Sequence, residues 1–227
     1  MTTIWPPLLA RHIRWADVDG LIVVLDAKAG RYLALPPETG ELWRLMFMTD
    51  HGPPSIGPPD QSRRMERLGE QLKTIGWLKG ADDPPVRPRR LALPCRSPLF
   101  CLISAFALLR FAGFQAALGW AERSAARPDE GSRVALQRCL ARFTRAEAFI
   151  PHGRGMLDCL PRSLALFGYL RAHHLPANFI IGVKRFPFQA HAWVEVDGQP
   201  LLQSEPVARS EDAREGGQNF FTMLTIA

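Results

Sequence analysis

The chain has 227 residues, 47% of them hydrophobic, and a formal net charge of +6. That size fits one or two packed domains. A basic balance admits nucleic acid, an anionic membrane surface or an acidic peptide as partner, but there is no helix-turn-helix or zinc pattern, no run of five basic residues and no aromatic-spaced basic ribbon, which argues against a nucleic-acid binder.

The four cysteines, Cys95, Cys101, Cys139 and Cys159, fall at no metal-like spacing, so no metal site is expected. Met1–Leu9 lacks the basic region of a signal peptide. A cytoplasmic location follows as an expectation, with reduced thiols and no disulfides. Leu99–Trp120 is apolar, but Arg110 and Gln115 interrupt it. It is expected to be buried helix, not a stable membrane insertion.

In chain order, His12–Ala16 alternates weakly and runs into the turn residues Asp17–Gly20. Leu21–Leu25 and Arg31–Leu35 are β-rich and are separated by the turn Asp26–Gly30. Pro36-Pro37 cannot donate to a ladder and tolerates a helix start, so Glu38–Met48 is predicted as helix, with Leu42, Leu45 and Met46 on one face. A Pro/Gly-rich loop, His51–Pro59, precedes a second helix that Asp60 can cap. Met65, Leu68, Leu72 and Ile75 recur there at helical spacing. Gly76–Leu78 fits a short final strand or wing.

Leu21-Ile-Val-Val-Leu-Asp, Gly30-Arg-Tyr-Leu-Ala-Leu-Pro and Glu41-Leu-Trp resemble the PqqD-like, winged-helix-like leader-recognition domain of peptide-modifying enzymes. The resemblance implies that a precursor's leader adds as a strand to an exposed sheet edge beside a helix. Backbone bonds would give affinity and side-chain pockets specificity. Arg31–Leu35 would be the accepting edge and Arg64–Leu72 the flanking helix. Tyr32, Leu33, Leu35, Arg64, Leu68 and Leu72 are then the candidate substrate contacts. The packing alternative is that the apolar members of this set are core.

Ala81–Pro94 carries four prolines among charges and is expected to be a stiff linker between a domain at 1–80 and a second at 95–227. Helices are predicted at Pro98–Arg123 and Ser132–Phe149, the second with Leu136, Cys139, Leu140 and Phe143 on one side. Cys139, like Cys95 and Cys101, is expected to be a small packing residue.

Asp158 can cap the next helix, which places Cys159 in its first turn. Pro161 fits there because early N–H groups lack an intrahelical partner. Leu160, Ser163, Leu164, Phe167 and Leu170 anchor the helix on a core. A helix N-terminus is partly positive and favours thiolate over thiol. His173 and His174 end this helix and suit its negative terminus, while His152 precedes the thiol in a Pro/Gly loop.

Asn178–Lys184 is predicted as a strand and Gln189–Val196 as its neighbour. Alternation puts His191, Trp193 and Glu195 on one face, with Ala192, Val194 and Val196 on the other. After the turn at Asp197-Gly198 two registers are open. A two-residue loop sets Ser204 opposite His191, and a three-residue loop sets Gln203 there. Gln203, or Glu205 as the alternative, is the candidate orienter of the imidazole.

Cys159-Leu-Pro-Arg-Ser-Leu-Ala-Leu, Ile181-Gly-Val and Ala190-His-Ala-Trp-Val-Glu-Val-Asp-Gly resemble the lasso-peptide B proteins, a group of transglutaminase-like cysteine proteases. The resemblance covers roughly residues 149–205. It implies a transglutaminase-like, papain-like domain of helices and antiparallel sheet, which with the three-stranded antiparallel sheet and helices read over Met1–Lys79 makes the chain α+β. It implies Cys159 as nucleophile and His191 as general base. The family's third residue is typically Asp where this chain has Gln203, which orients but cannot supply charge. The implied function is leader peptidase in lasso-peptide antibiotic biosynthesis, a hydrolase needing no cofactor of its own. Its partners would be the precursor's leader and an asparagine-synthetase-like lasso cyclase that uses the ATP. A catalytically weak or inactive leader-binding scaffold, or an acyl transferase on the same thiol, stands as the alternative.

Overall fold

A computed structural model of the chain describes residues 9–48, 59–79, 96–124, 133–150, 158–202, 207–209 and 218–226. The chain forms two compact units, Met1–Arg87 and Pro88–Ala227.

In the first unit, β1 (Ile13–Val18), β2 (Leu21–Asp26) and β3 (Arg31–Ala34) form an antiparallel sheet in the order β1-β2-β3. Asp19 and Gly20 both take positive φ, 49° and 79°, so a two-residue turn joins Val18 directly to Leu21. Asp17 braces this turn by accepting the Gly20 N–H at 3.0 Å and the Arg44 Nε at 2.6 Å. The second turn is built on Asp26, which accepts the N–H groups of Lys28 and Ala29 and, at 3.2 Å, the indole N–H of Trp77. Helices α1 (Pro37–Phe47) and α2 (Pro59–Thr74) cover the sheet. Ile22, Val24, Trp43, Met46, Met65, Leu68, Leu72 and Trp77 make the core between them. Trp43 meets Trp15 and Trp77 edge-on, at 6.3 and 6.2 Å.

Two expectations shift here. Asp60 does not cap α2: the helix begins at Pro59, and Asp60 lies inside its first turn, paired with Arg64 at 3.0 Å. Gly76–Leu78 yields an isolated bridge, Leu9 to Leu78, where a strand was expected. The adjoining bond from the Ala10 N–H to the Trp77 carbonyl ties the two ends of the unit together.

The second unit has α3 (Pro98–Ala107), a π-helical turn (Leu108–Ala112), α4 (Phe114–Ser124), α5 (Arg133–Glu147) and α6 (Cys159–Ala172), followed by the sheet strands. The long helix predicted from Pro98 is therefore broken. Gly113, at φ 83°, ends the π turn in a conformation that other residues resist. No helix among the described residues is long and apolar enough to cross a membrane. Cys101, fully buried in α3, is disulfide-bonded, whereas Cys139 and Cys159 are free. This corrects the expectation of reduced thiols throughout. That expectation came from compartment, and a disulfide depends on local geometry once two sulfurs are brought close.

Helix α6 is the hub. Leu164, Ala165, Phe167, Tyr169 and Leu170 are fully buried, and Gly168 passes so close to Trp120 that an added Cβ would sit 2.9 Å from its ring. Among the described residues the second sheet has the order β6-β5-β4-β8-β7, from β4 (Ala177–Lys184), β5 (Gln189–Val196), β6 (Gln199–Pro200), β7 (Val207–Arg209) and β8 (Gln218–Ile226). Its neighbours are antiparallel except β7 and β8, which run parallel. The architecture is thus α+β, with helices packed on an antiparallel sheet in the first unit and on a mostly antiparallel sheet in the second. Phe167 of α6 meets Phe179 of β4 at 6.1 Å, which sets the helix against the sheet.

Candidate active site

Helix α6 begins at Cys159, with Asp158 extended at the N-cap position. The Asp158 side chain makes no capping bond, contrary to expectation, although its carbonyl accepts the Arg162 N–H at 3.1 Å. Pro161 occupies the first turn as predicted. The Cys159 thiol is half-buried and hydrogen-bonded with the half-buried imidazole of His191 on β5, and it also accepts from the backbone N–H of Ala192. Burial has the largest effect on this thiol and raises its pKa. The bonds from His191 and Ala192 and the imidazolium charge act the other way, with Asp158 opposing them, and the net is a thiol below the ordinary cysteine value. The helix start adds its own preference for thiolate.

Backbone geometry explains why helix and strand meet here. In a strand, the N–H and C=O of one residue point to the same side, and residues two apart share a side. The Val194 carbonyl accepts the Leu201 N–H at 2.8 Å, so that side of β5 faces β6. The β6 ladder ends at once, however: Glu195 pairs with Pro200 and Val196 with Gln199, and Leu202 turns aside at φ 52°. Ala192, two residues before Val194, has no β6 partner among the described residues. Its partners come from helix α6. The Ser163 hydroxyl donates to the Ala192 carbonyl at 2.8 Å, and the Cys159 sulfur takes the Ala192 N–H. Two α6 side chains, one turn apart, thus bond both backbone polar groups of Ala192.

Arg162 locks the same corner. It donates to both carboxylate oxygens of Glu147 on α5 and, at 2.7 Å, to the Leu202 carbonyl.

The hairpin uses the two-residue loop. The three-residue register, which would have set Gln203 opposite His191, does not form. Asp197 at φ 52° and Gly198 at φ 74° supply the tight turn without an extra residue. Gln203 and Glu205 themselves lie outside the described residues, as does His152. His173 ends α6 and meets Tyr169 edge-on at 4.7 Å.

The face predicted for β5 forms as expected. His191 stacks on Trp193, with ring centroids 6.0 Å apart and planes 16° from parallel, and Phe220 of β8 lies 5.7 Å from His191. The buried Glu195 carboxylate accepts the Trp193 indole N–H at 2.7 Å. The sequence carried a signal for Trp193 and Glu195 through their alternation with His191. It carried none for Phe220, nor for the backbone bonds at Ala192.

In the first unit, Leu68 and Leu72 are core residues, 9% and 4% exposed, as the packing alternative held. Tyr32, Leu33 and Leu35 are half-buried, the two leucines packing against the core, and Arg64 is exposed. Strand β3 lies at the edge of its sheet.

A transglutaminase-like superfamily model matches residues 92–213, more than half of the chain. The Microcin J25-processing protein McjB of Escherichia coli is 48% identical over 44 residues, 19% of this chain and 21% of that protein. The chain therefore matches about a fifth of that relative's length. No solved structure matches. These matches support the likeness to the lasso-peptide B proteins. On the evidence of the Cys159–His191 pair and of the superfamily match that spans it, the chain belongs to the transglutaminase-like superfamily.

Proposed function

We propose that this chain is a cysteine peptidase of lasso-peptide biosynthesis that removes the leader from a ribosomal precursor. The observation that carries the proposal is the bond between the Cys159 sulfur and the His191 imidazole at a helix start, with the thiol's pKa lowered.

The Cys159 thiolate attacks the carbonyl at the leader–core junction and forms a tetrahedral adduct. His191 protonates the leaving amine, and the adduct collapses to a thioester. His191 then deprotonates water, which releases the leader acid and the free thiol. Backbone donors at the helix start hold the oxyanion. Pro161 has no N–H and that of Arg162 is bonded to Asp158, so Cys159 and Leu160 are the candidate donors. The edge of β3 receives the leader as an added strand, with Tyr32, Leu33 and Leu35 shaping that edge and Arg64 flanking it, while Leu68 and Leu72 support it from the core. The freed core passes to a partner cyclase that activates a carboxylate with ATP, and this chain works without a cofactor.

The test is incubation with a candidate precursor and mass measurement of the products. Wild-type protein releases leader and core as separate masses, and Cys159→Ala binds the leader but leaves the precursor intact. Cleavage by Cys159→Ala would refute the proposal.

A further inference from the structure

We propose that Trp193, held by Glu195, is a positioning residue for His191, fixing the plane and placement of the imidazole through stacking. The inference rests on His191 acting as the base of the peptidase proposed above.

Four observations converge on it. His191, Trp193 and Glu195 alternate on one face of β5, so each side chain is the next but one neighbour of the other. The imidazole and indole planes are 16° apart with centroids at 6.0 Å, an offset stack. The indole is fixed in turn: it is fully buried, and its N–H reaches the buried Glu195 carboxylate at 2.7 Å. Finally, the cross-strand partner of His191 is Gly182, and the space a side chain would take there is filled by Trp193. A Cβ on Gly182 would stand 2.7 Å from the indole Cη2 and 2.9 Å from the Cβ of Phe220.

The sheet thus omits a side chain beneath the base so that a large ring can lie there. A flat imidazole against a flat, pinned indole loses freedom about its χ angles, and a general base held at a fixed angle delivers its proton along a fixed line. A charge-bearing orienter performs this task in the Cys–His–Asp arrangement that the sequence resembles. Here the packing takes a share of it. The role assigned to Glu195 runs through the Trp193 indole N–H that it accepts at 2.7 Å. Glu195 acts by holding the ring that holds the base.

The experiment labels Cys159 of the full chain with iodoacetamide over a pH series, with mass mapping to the site. The proteins are wild type, His191→Ala, Glu195→Ala, Glu195→Gln and Trp193→Phe, each checked for folding by circular dichroism. Glu195→Ala and Trp193→Phe are expected to slow labelling at neutral pH roughly threefold to tenfold, the scale of one lost buried hydrogen bond, and to move the pH midpoint upward. Glu195→Gln keeps an oxygen that accepts the indole N–H and is expected to stay within about twofold of wild type. If Glu195→Ala does not fold, Trp193→Phe decides, because it keeps an aromatic side chain there while removing the N–H donor and part of the stacking area. Lowered melting temperatures with an unmoved midpoint overturn the proposal, as does Glu195→Gln failing as badly as Glu195→Ala. An unmoved midpoint in His191→Ala instead defeats the Cys–His assignment itself. A midpoint moved by His191→Ala but not by the Glu195 and Trp193 variants defeats this inference alone.

Discussion

Cys139 and Cys159 are both free thiols on helices of the same unit, and burial has the largest effect on each, yet their pKa values move in opposite directions. Cys139 sits in the body of α5. Burial raises it, and a bond from Tyr169 and the charge of Arg142 only partly offset this, so the thiol stays above its ordinary value. Cys159 sits at the first residue of α6, where the imidazole and the Ala192 N–H together overcome burial. The difference teaches that burial alone does not make a cysteine inert. What decides is whether the donors and charge delivered to the sulfur outweigh burial: one hydroxyl and an arginine do not at Cys139, while an imidazole and a backbone N–H do at Cys159.

The contrast is broken most directly at His191. His191→Ala should lower peptide cleavage about 10²- to 10⁴-fold, the range for a lost general acid–base, while Cys139→Ala should leave cleavage unchanged; a precursor assay read by mass spectrometry compares them. The pH dependence follows with its sign. A lowered pKa keeps Cys159 as thiolate to lower pH than a free thiol, and a raised pKa keeps Cys139 protonated to higher pH. Alkylation of Cys159 should therefore rise at a lower pH than that of Cys139, and His191→Ala should move the Cys159 profile upward. Coincident profiles in the wild type would erase the distinction.

Smaller effects sharpen it. Ser163→Ala removes the donor to the Ala192 carbonyl and leaves that acceptor buried, at a cost of about 1–3 kcal/mol. Urea denaturation measures this, and Cys159 labelling should slow with it because the strand edge loosens. Tyr169→Phe removes the hydroxyl bonded to Cys139, which should push that thiol further up and cost about 0.5–1.5 kcal/mol. It should not change cleavage, and a matching loss of activity would mean that the two thiols are coupled.

Much of this was legible from the residues. Cys159 at a helix start followed from Pro161 and the apolar spacing behind it, and the shared face of His191, Trp193 and Glu195 followed from alternation. Most predicted strands and helices fell within a few residues of their expected bounds, but Gly76–Leu78 formed only a bridge, the run from Pro98 broke into three pieces, and β7 and β8 were not foreseen. What was hidden depended on three-dimensional choices. The break at Leu108–Gly113 was hidden because Leu108, Leu109, Phe111 and Ala112 continue the apolar composition of the helices on either side. Asp158 has a capping side chain by type, but that side chain makes no cap. The hairpin register turned on one residue of loop length, which Asp197-Gly198 alone could not fix. The bonds of Ser163 and Cys159 to Ala192 fall just past the end of the β5–β6 pairing at Pro200, which is encoded far from either residue.

The grip of α6 on Ala192 also partitions where this protein can change length. Sulfur and hydroxyl are four positions apart and seat on the two polar groups of a single residue. One amino acid inserted between Cys159 and Ser163 would swing the sulfur about 100° around the helix axis and off its seat. Extra residues at the exposed tip joining β4 to β5, where Phe186 and Phe188 face solvent, would leave that seating alone. Natural or engineered indels should accordingly gather at the tip and shun the helix head, a pattern that owes nothing to side-chain chemistry at the inserted positions.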